Sequence, residues 1–84
     1  MAAYGPAINR IRYLAGLTDR QQKTPATISG GPGAIYSYRL MIAHKNADGT
    51  WNVLPDGVSS VTTNRHIRAA AMALPVNERT GNLY

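Results

Sequence analysis

Cysteine is absent from the 84 residues, which excludes disulfides and thiolate metal sites. Phenylalanine is absent too, so the aromatic residues are five tyrosines and a single tryptophan. Acidic residues number only four: Asp19, Asp48, Asp56 and Glu78. Each falls in a predicted turn, linker or tail, and no regular element holds two of them as a general acid and base. No strained nucleophile turn is present. The two histidines, His44 and His66, have no third ligand and no zinc-type spacing. The sequence therefore predicts a protein that is not an enzyme and needs no metal or cofactor. No apolar run is long enough to span a bilayer. Met1 to Pro6 shows no basic region leading into an apolar one, so no secretory signal is expected. The expected location is the cytoplasm, of a cell or of an infected host.

What is present is positive charge. Nine Lys and Arg against four Asp and Glu give a formal charge of +5 and a pI of about 10.1. That balance favours nucleic acid or an acidic protein surface as partner, with no membrane role. A chain of 84 residues makes one small domain with a thin core. Packing has to supply its stability, or else a second copy in a homodimer.

A short N-terminal helix is predicted at about 6–15. Gly5 is a plausible N-cap and Pro6 suits the first helical position. Ala7, Ile8, Ile11, Leu14 and Ala15 share one face. Asn9, Arg10 and Tyr13 are expected to point outward, with Arg12 on the flank. The stretch up to Gly33 is polar and ends in Ser29-Gly30-Gly31-Pro32-Gly33, which reads as a flexible linker. The domain organisation is thus helix and linker over 1–33, a compact β-β-α unit over 34–74 and a tail over 75–84.

Residues 34–45 read as one strand. Tyr36, Tyr38, Leu40 and Ile42 alternate on a core face. Arg39 and Lys45 project from the opposite face. Asn46-Ala47-Asp48-Gly49 is a turn signal, and 50–54 returns as a second strand carrying Trp51 and Val53. Pro55-Asp56-Gly57 signals another turn, and a third, edge strand is read at 58–61. A helix follows at about 63–74. Thr62 or Thr63 is expected to cap it, and Ile67, Ala70, Ala71 and Leu74 form its apolar stripe. Pro75 ends it. The fold class is α+β: a two- or three-stranded antiparallel sheet covered by this helix.

The helix start carries the most suggestive chemistry. Thr62, Thr63 and Asn64 are short polar groups where free amides and the positive dipole end attract anions. Arg65 and Arg68 stand where the dipole disfavours them, which hints at contact with phosphate or carboxylate. Asn64, Arg65 and Arg68, supported by Arg39, Lys45, Arg10 and Arg12, form the candidate nucleic-acid or anion site. His66 flanks the apolar stripe. It is read with Thr62 and Thr63 as a structural polar group, bonded to a strand residue such as Ser37, Ser59 or a tyrosine hydroxyl.

Ser37-Tyr38, Trp51 and Thr62-Thr63-Asn64-Arg65-His66-Ile67 resemble a family of small bacteriophage and mobile-element proteins. These share a Ser-Tyr strand, a hairpin and a Thr-Thr-x-x-His-Ile helix start. The resemblance covers residues 36–74 and implies phage origin and a β-β-α core. It assigns no activity and no catalytic residue.

Overall fold

The computed structural model describes residues 5–84; residues 1–4, on which the reading for a secretory leader partly rests, lie outside them. The element order is α1 (Gly5–Leu14), β1 (Ile28–Gly30), β2 (Ala34–Ser37), β3 (Leu40–Lys45), β4 (Trp51–Val53), α2 (Val61–Ala73) and β5 (Val76–Arg79). The strands form one sheet in the order β1-β2-β3-β4-β5. All neighbours are antiparallel except β4 and β5, which run parallel. α2 lies against β2, β3 and β4, and α1 packs beside it and against β1. The α+β class stands, but the sheet has five strands rather than three.

The two added strands come from the segments read as linker and tail. Gly31-Pro32-Gly33 is a hairpin turn, closed by Gly31 N–H donating to the Ala34 carbonyl at 3.0 Å. Gly30 sits at φ +126°, and a side chain there would collide with the Ala34 carbonyl oxygen, so this position requires glycine. β5 follows Pro75, whose carbonyl accepts from the Trp51 N–H at 2.9 Å and starts the parallel pairing. The segment read as an edge strand at 58–61 is not one. Val58 is exposed and Val61 is the first residue of α2, 73% exposed.

The long first strand is also two. Ser37 pairs with Leu40 across a two-residue loop of Tyr38 and Arg39, and Tyr38 takes φ +56°. A bulge beside Ile35 and Tyr36 then breaks the alternation. Ile35 and Ser37 face the core in β2, and consecutive Ile42 and Ala43 are both buried in β3. The expected core face of Tyr36, Tyr38 and Leu40 is therefore corrected: Tyr36 is half-buried, while Tyr38 and Leu40 are exposed.

The core joins Ala7, Ile11 and Ala15 of the N-terminal helix region to Ile28, Ile35, Ile42, Trp51, Val53, Ile67, Ala70 and Leu74. Each fully enclosed Ile or Val contributes roughly 1.5–3 kcal/mol relative to an exposed one. The small Ala69, Ala70 and Ala73 are buried along α2 and leave room for helix and sheet to approach closely. By strand alternation His44 and Asn52, a register pair, face away from α2. The chain end covers them: Asn52 Nδ2 donates to the Leu83 carbonyl at 3.2 Å, and the Tyr84 ring lies 4.7 Å from that of His44.

Candidate functional site

α2 starts earlier than its sequence suggests, and this relocates the charged residues. Ser60 is the N-cap, with φ −60° and ψ 164°, and its Oγ accepts from the Thr63 N–H at 3.3 Å. The cap is thus neither Thr62 nor Thr63. With Val61 as first residue, Arg65 stands fifth and Arg68 eighth. The macrodipole acts mainly within the first turn, so the electrostatic mismatch attributed to the arginines is small at Arg65 and lost at Arg68.

Ser37 fixes the helix start to the sheet. Its Oγ lies 2.7 Å from His66 Nδ1 and 3.2 Å from Thr63 Oγ1. Ser37 is 0% exposed and His66 is 6% exposed. A serine so enclosed cannot meet a substrate, so the pair acts as a buried polar fastener. Burial holds the His66 pKa below its ordinary value by disfavouring the charged ring. Thr62, by contrast, is exposed.

The outer side of His66 faces a groove of about 290 Å³ lined by Pro6, Ala7, Thr24, Pro25, Thr62, Arg65 and His66. No acidic residue lines it. On the hairpin side, the Tyr38 ring stacks against His66 with centroids 6.4 Å apart and planes 28° from parallel. Tyr38 nonetheless keeps 56% of its surface exposed. A tyrosine at positive φ is costly, about 1–3 kcal/mol, and such strain concentrates at functional sites. Arg39 follows Tyr38 in the same loop, and Arg65 precedes His66 on α2 and lines the groove with it. Both are exposed.

The other site candidates do not converge here. Arg10 was expected to point outward. Instead its Nε donates to the Ile28 carbonyl at 3.0 Å and its Nη1 to the Gln22 carbonyl at 2.8 Å, tying α1 to β1 and the loop before it. Arg68 Nε lies 3.6 Å from Asp56, whose other oxygen receives Arg79 at 2.6 Å. Asn64 Nδ2 donates to the Ser59 carbonyl at 3.1 Å, a local contact that supports the cap. Lys45 ends β3, five strand steps from Leu40 and thus roughly 17 Å from the Tyr38–Arg39 loop. Arg12 lies on α1, in a separate cleft with Arg20. Arg39 belongs to the two-residue loop before β3 rather than to a strand face shared with Lys45.

The sequence reading missed Tyr38 as a surface residue, because Tyr-Arg carries none of the usual turn residues. It also missed Thr24 and Pro25 as groove walls, since nothing local marks which loop will cover a helix start. Among the described residues no group of three or more His, Asp or Glu is placed to hold a metal ion. No described helix is long and apolar enough to cross a membrane. Comparison of the chain with protein-family models, with curated proteins and with solved structures finds no match.

Proposed function

We propose that this chain is a non-catalytic accessory protein, of the type phages and mobile elements encode, that binds nucleic acid or a nucleoprotein complex through the start of α2 and the Tyr38–Arg39 loop. The observation that carries the reading is Tyr38. It is exposed in a strained left-handed backbone and stacked on His66, with Arg39 next in the same loop and Arg65 next to His66 in sequence on α2. An exposed aromatic on a basic surface is the combination that stacks a base while contacting adjacent phosphates. The acid-free groove beside Arg65 gives a phosphate chain room without like-charge repulsion. Asp48, by comparison, sits in the turn between β3 and β4, and Asp56 is engaged by Arg68 and Arg79.

Fluorescence anisotropy with labelled single-stranded and duplex oligonucleotides at low salt tests this. Association is expected, with Tyr38→Ala weakening the single-strand complex by about 1–3 kcal/mol, the contribution of one stacked base. Absence of binding to either oligonucleotide at low salt would refute it.

One observation favours a second reading. Val61 (73% exposed) and Met72 (56% exposed) share the outward stripe of α2 with Arg65 and Arg68. Apolar residues bracketing arginines suit an acidic protein partner better than a bare phosphate backbone. Capture of a partner that survives nuclease treatment and is lost in Val61→Ser with Met72→Ser would favour this alternative.

A further inference from the structure

A second cleft, of about 390 Å³, opens at the far end of α1 and is lined by Asn9, Arg12, Leu17, Thr18 and Arg20. The chain builds it by reversing at the helix terminus. Gly16 takes φ +79°, Leu17 N–H donates to the Arg12 carbonyl at 2.9 Å, and Gly16 N–H donates to the Tyr13 carbonyl at 3.1 Å. This Schellman turn satisfies the last helical carbonyls and folds Thr18 to Arg20 back beside the outer face of α1. Asn9 and Arg12, about one turn apart on α1, then line the cleft together with Arg20.

We infer that this cleft is a binding site for a phosphate monoester, held between the Arg12 and Arg20 guanidiniums with Asn9 and Thr18 as neutral donors. Three observations lead there. Three other arginines are engaged: Arg10 donates to two carbonyls, Arg79 to a carbonyl and a carboxylate, and Arg68 lies 3.6 Å from Asp56. Neither Arg12 nor Arg20 has a side-chain hydrogen bond or ion pair among the described residues, so their fork-shaped donors remain open for a bidentate oxyanion. Arg12 alone would be explained by the negative end of the α1 dipole, but that gives no reason for Arg20 to share the cleft. Asp19 lies between Thr18 and Arg20 in sequence yet is not among the lining residues. Half-exposed Leu17 adds an apolar wall, which suits the organic portion of an ester. A dianion matches two cations in charge. The site is separate from the Tyr38 surface, and its occupancy does not depend on the reading given for that surface.

The test is a titration of the whole chain with inorganic phosphate, followed by NMR at the arginine Nε–H and asparagine side-chain amide signals, with sodium chloride at matched ionic strength as control. Saturable shifts are expected at Arg12, Arg20 and Asn9 with phosphate and not with chloride. Arg20→Gln is expected to weaken phosphate binding about tenfold, the loss of one charge-assisted contact, and Lys45→Gln, at the exposed end of β3, to leave it unchanged. Arg12 and Arg20 are exposed, so an unchanged backbone spectrum in Arg20→Gln verifies that the variant is folded. Equal shifts with phosphate and chloride, no saturation, or undiminished affinity in folded Arg20→Gln would overturn the inference.

Discussion

Replacing Ser37 by alanine should loosen the start of α2 from the sheet. The Ser37 hydroxyl is fully enclosed and serves two partners, His66 Nδ1 at 2.7 Å and Thr63 Oγ1 at 3.2 Å. An average hydrogen bond contributes a net of about 1 kcal/mol, but a buried group left unpaired costs about 1–3 kcal/mol. Ser37→Ala orphans the His66 nitrogen in a site only 6% exposed, so the second figure applies and about 2 kcal/mol is expected. For a domain of this size that lowers Tm by roughly 8–16 °C. Thr63→Val keeps the shape and removes only the longer contact, leaving Ser37 bonded to His66, so its cost should stay near or below about 1 kcal/mol. Trp51 is the single tryptophan and is 1% exposed, which makes its fluorescence a direct reporter in urea unfolding. A small domain has an m-value of about 1–3 kcal/mol/M, so Ser37→Ala should shift the midpoint by roughly 0.7–2 M with little change in m. A Ser37→Ala loss below about 0.5 kcal/mol, or a Thr63→Val loss that equals it, would refute the fastening argument.

Three further outcomes follow from the same geometry. Because burial lowers the folded-state pKa of His66, the unfolded chain binds the extra proton first as pH falls. Stability should be fully present above about pH 6.5 and decline below it through the folded-state pKa, by at most about 1.4 kcal/mol per pH unit; urea midpoints measured from pH 7.5 down to pH 5 check this, and a flat profile would contradict it. Gly30→Ala should destabilise by about 2 kcal/mol or more, since a Cβ collides with the Ala34 carbonyl in a backbone that disfavours any side chain; an unchanged Tm would show that the β1–β2 turn is not held as described. Tyr38→Gly trades the stacking on His66 and some chain entropy for relief of positive φ, so stability should stay within about 1 kcal/mol of the parent while oligonucleotide binding falls; a loss above about 2 kcal/mol would make the ring structural.

How far the sequence carries this account depends on whether a signal is local. The stripe of α2 is local: Thr63, Ile67, Ala70 and Leu74 are buried as helical spacing requires, and Leu74 turns extended before Pro75. The β3–β4 hairpin is local too, with Gly49 at φ +91° and Asp48 accepting from the Thr50 hydroxyl at 2.6 Å. A strand partner for His66 could be anticipated because a histidine at the rim of an apolar stripe needs one, but the choice of Ser37 over Ser59 or a tyrosine hydroxyl is made by the fold. The split at Tyr38–Arg39 could not be, because the chain reverses there without glycine, proline, asparagine or aspartate. The bulge beside Ile35 compounds this, since a single extra residue exchanges the faces on which an alternation count relies. β1 and β5 are short and are defined by partners distant in sequence; β5 pairs in parallel after a helical crossover, which leaves no periodic trace of its own. At the site, the sequence marked Arg65 and His66 but grouped them with Lys45, Arg10 and Arg68, whose places depend on tertiary contacts.

The salt dependence of oligonucleotide binding, compared between the parent chain and Arg65→Gln, tests the central proposal most directly. If Arg65 contacts phosphate, log K should fall linearly with log salt in the parent, and the slope should be shallower in the variant by about 0.7 for a single strand or about 0.9 for duplex. Identical slopes and affinities in the two proteins, or no association at low salt, would contradict a phosphate-binding role for the start of α2.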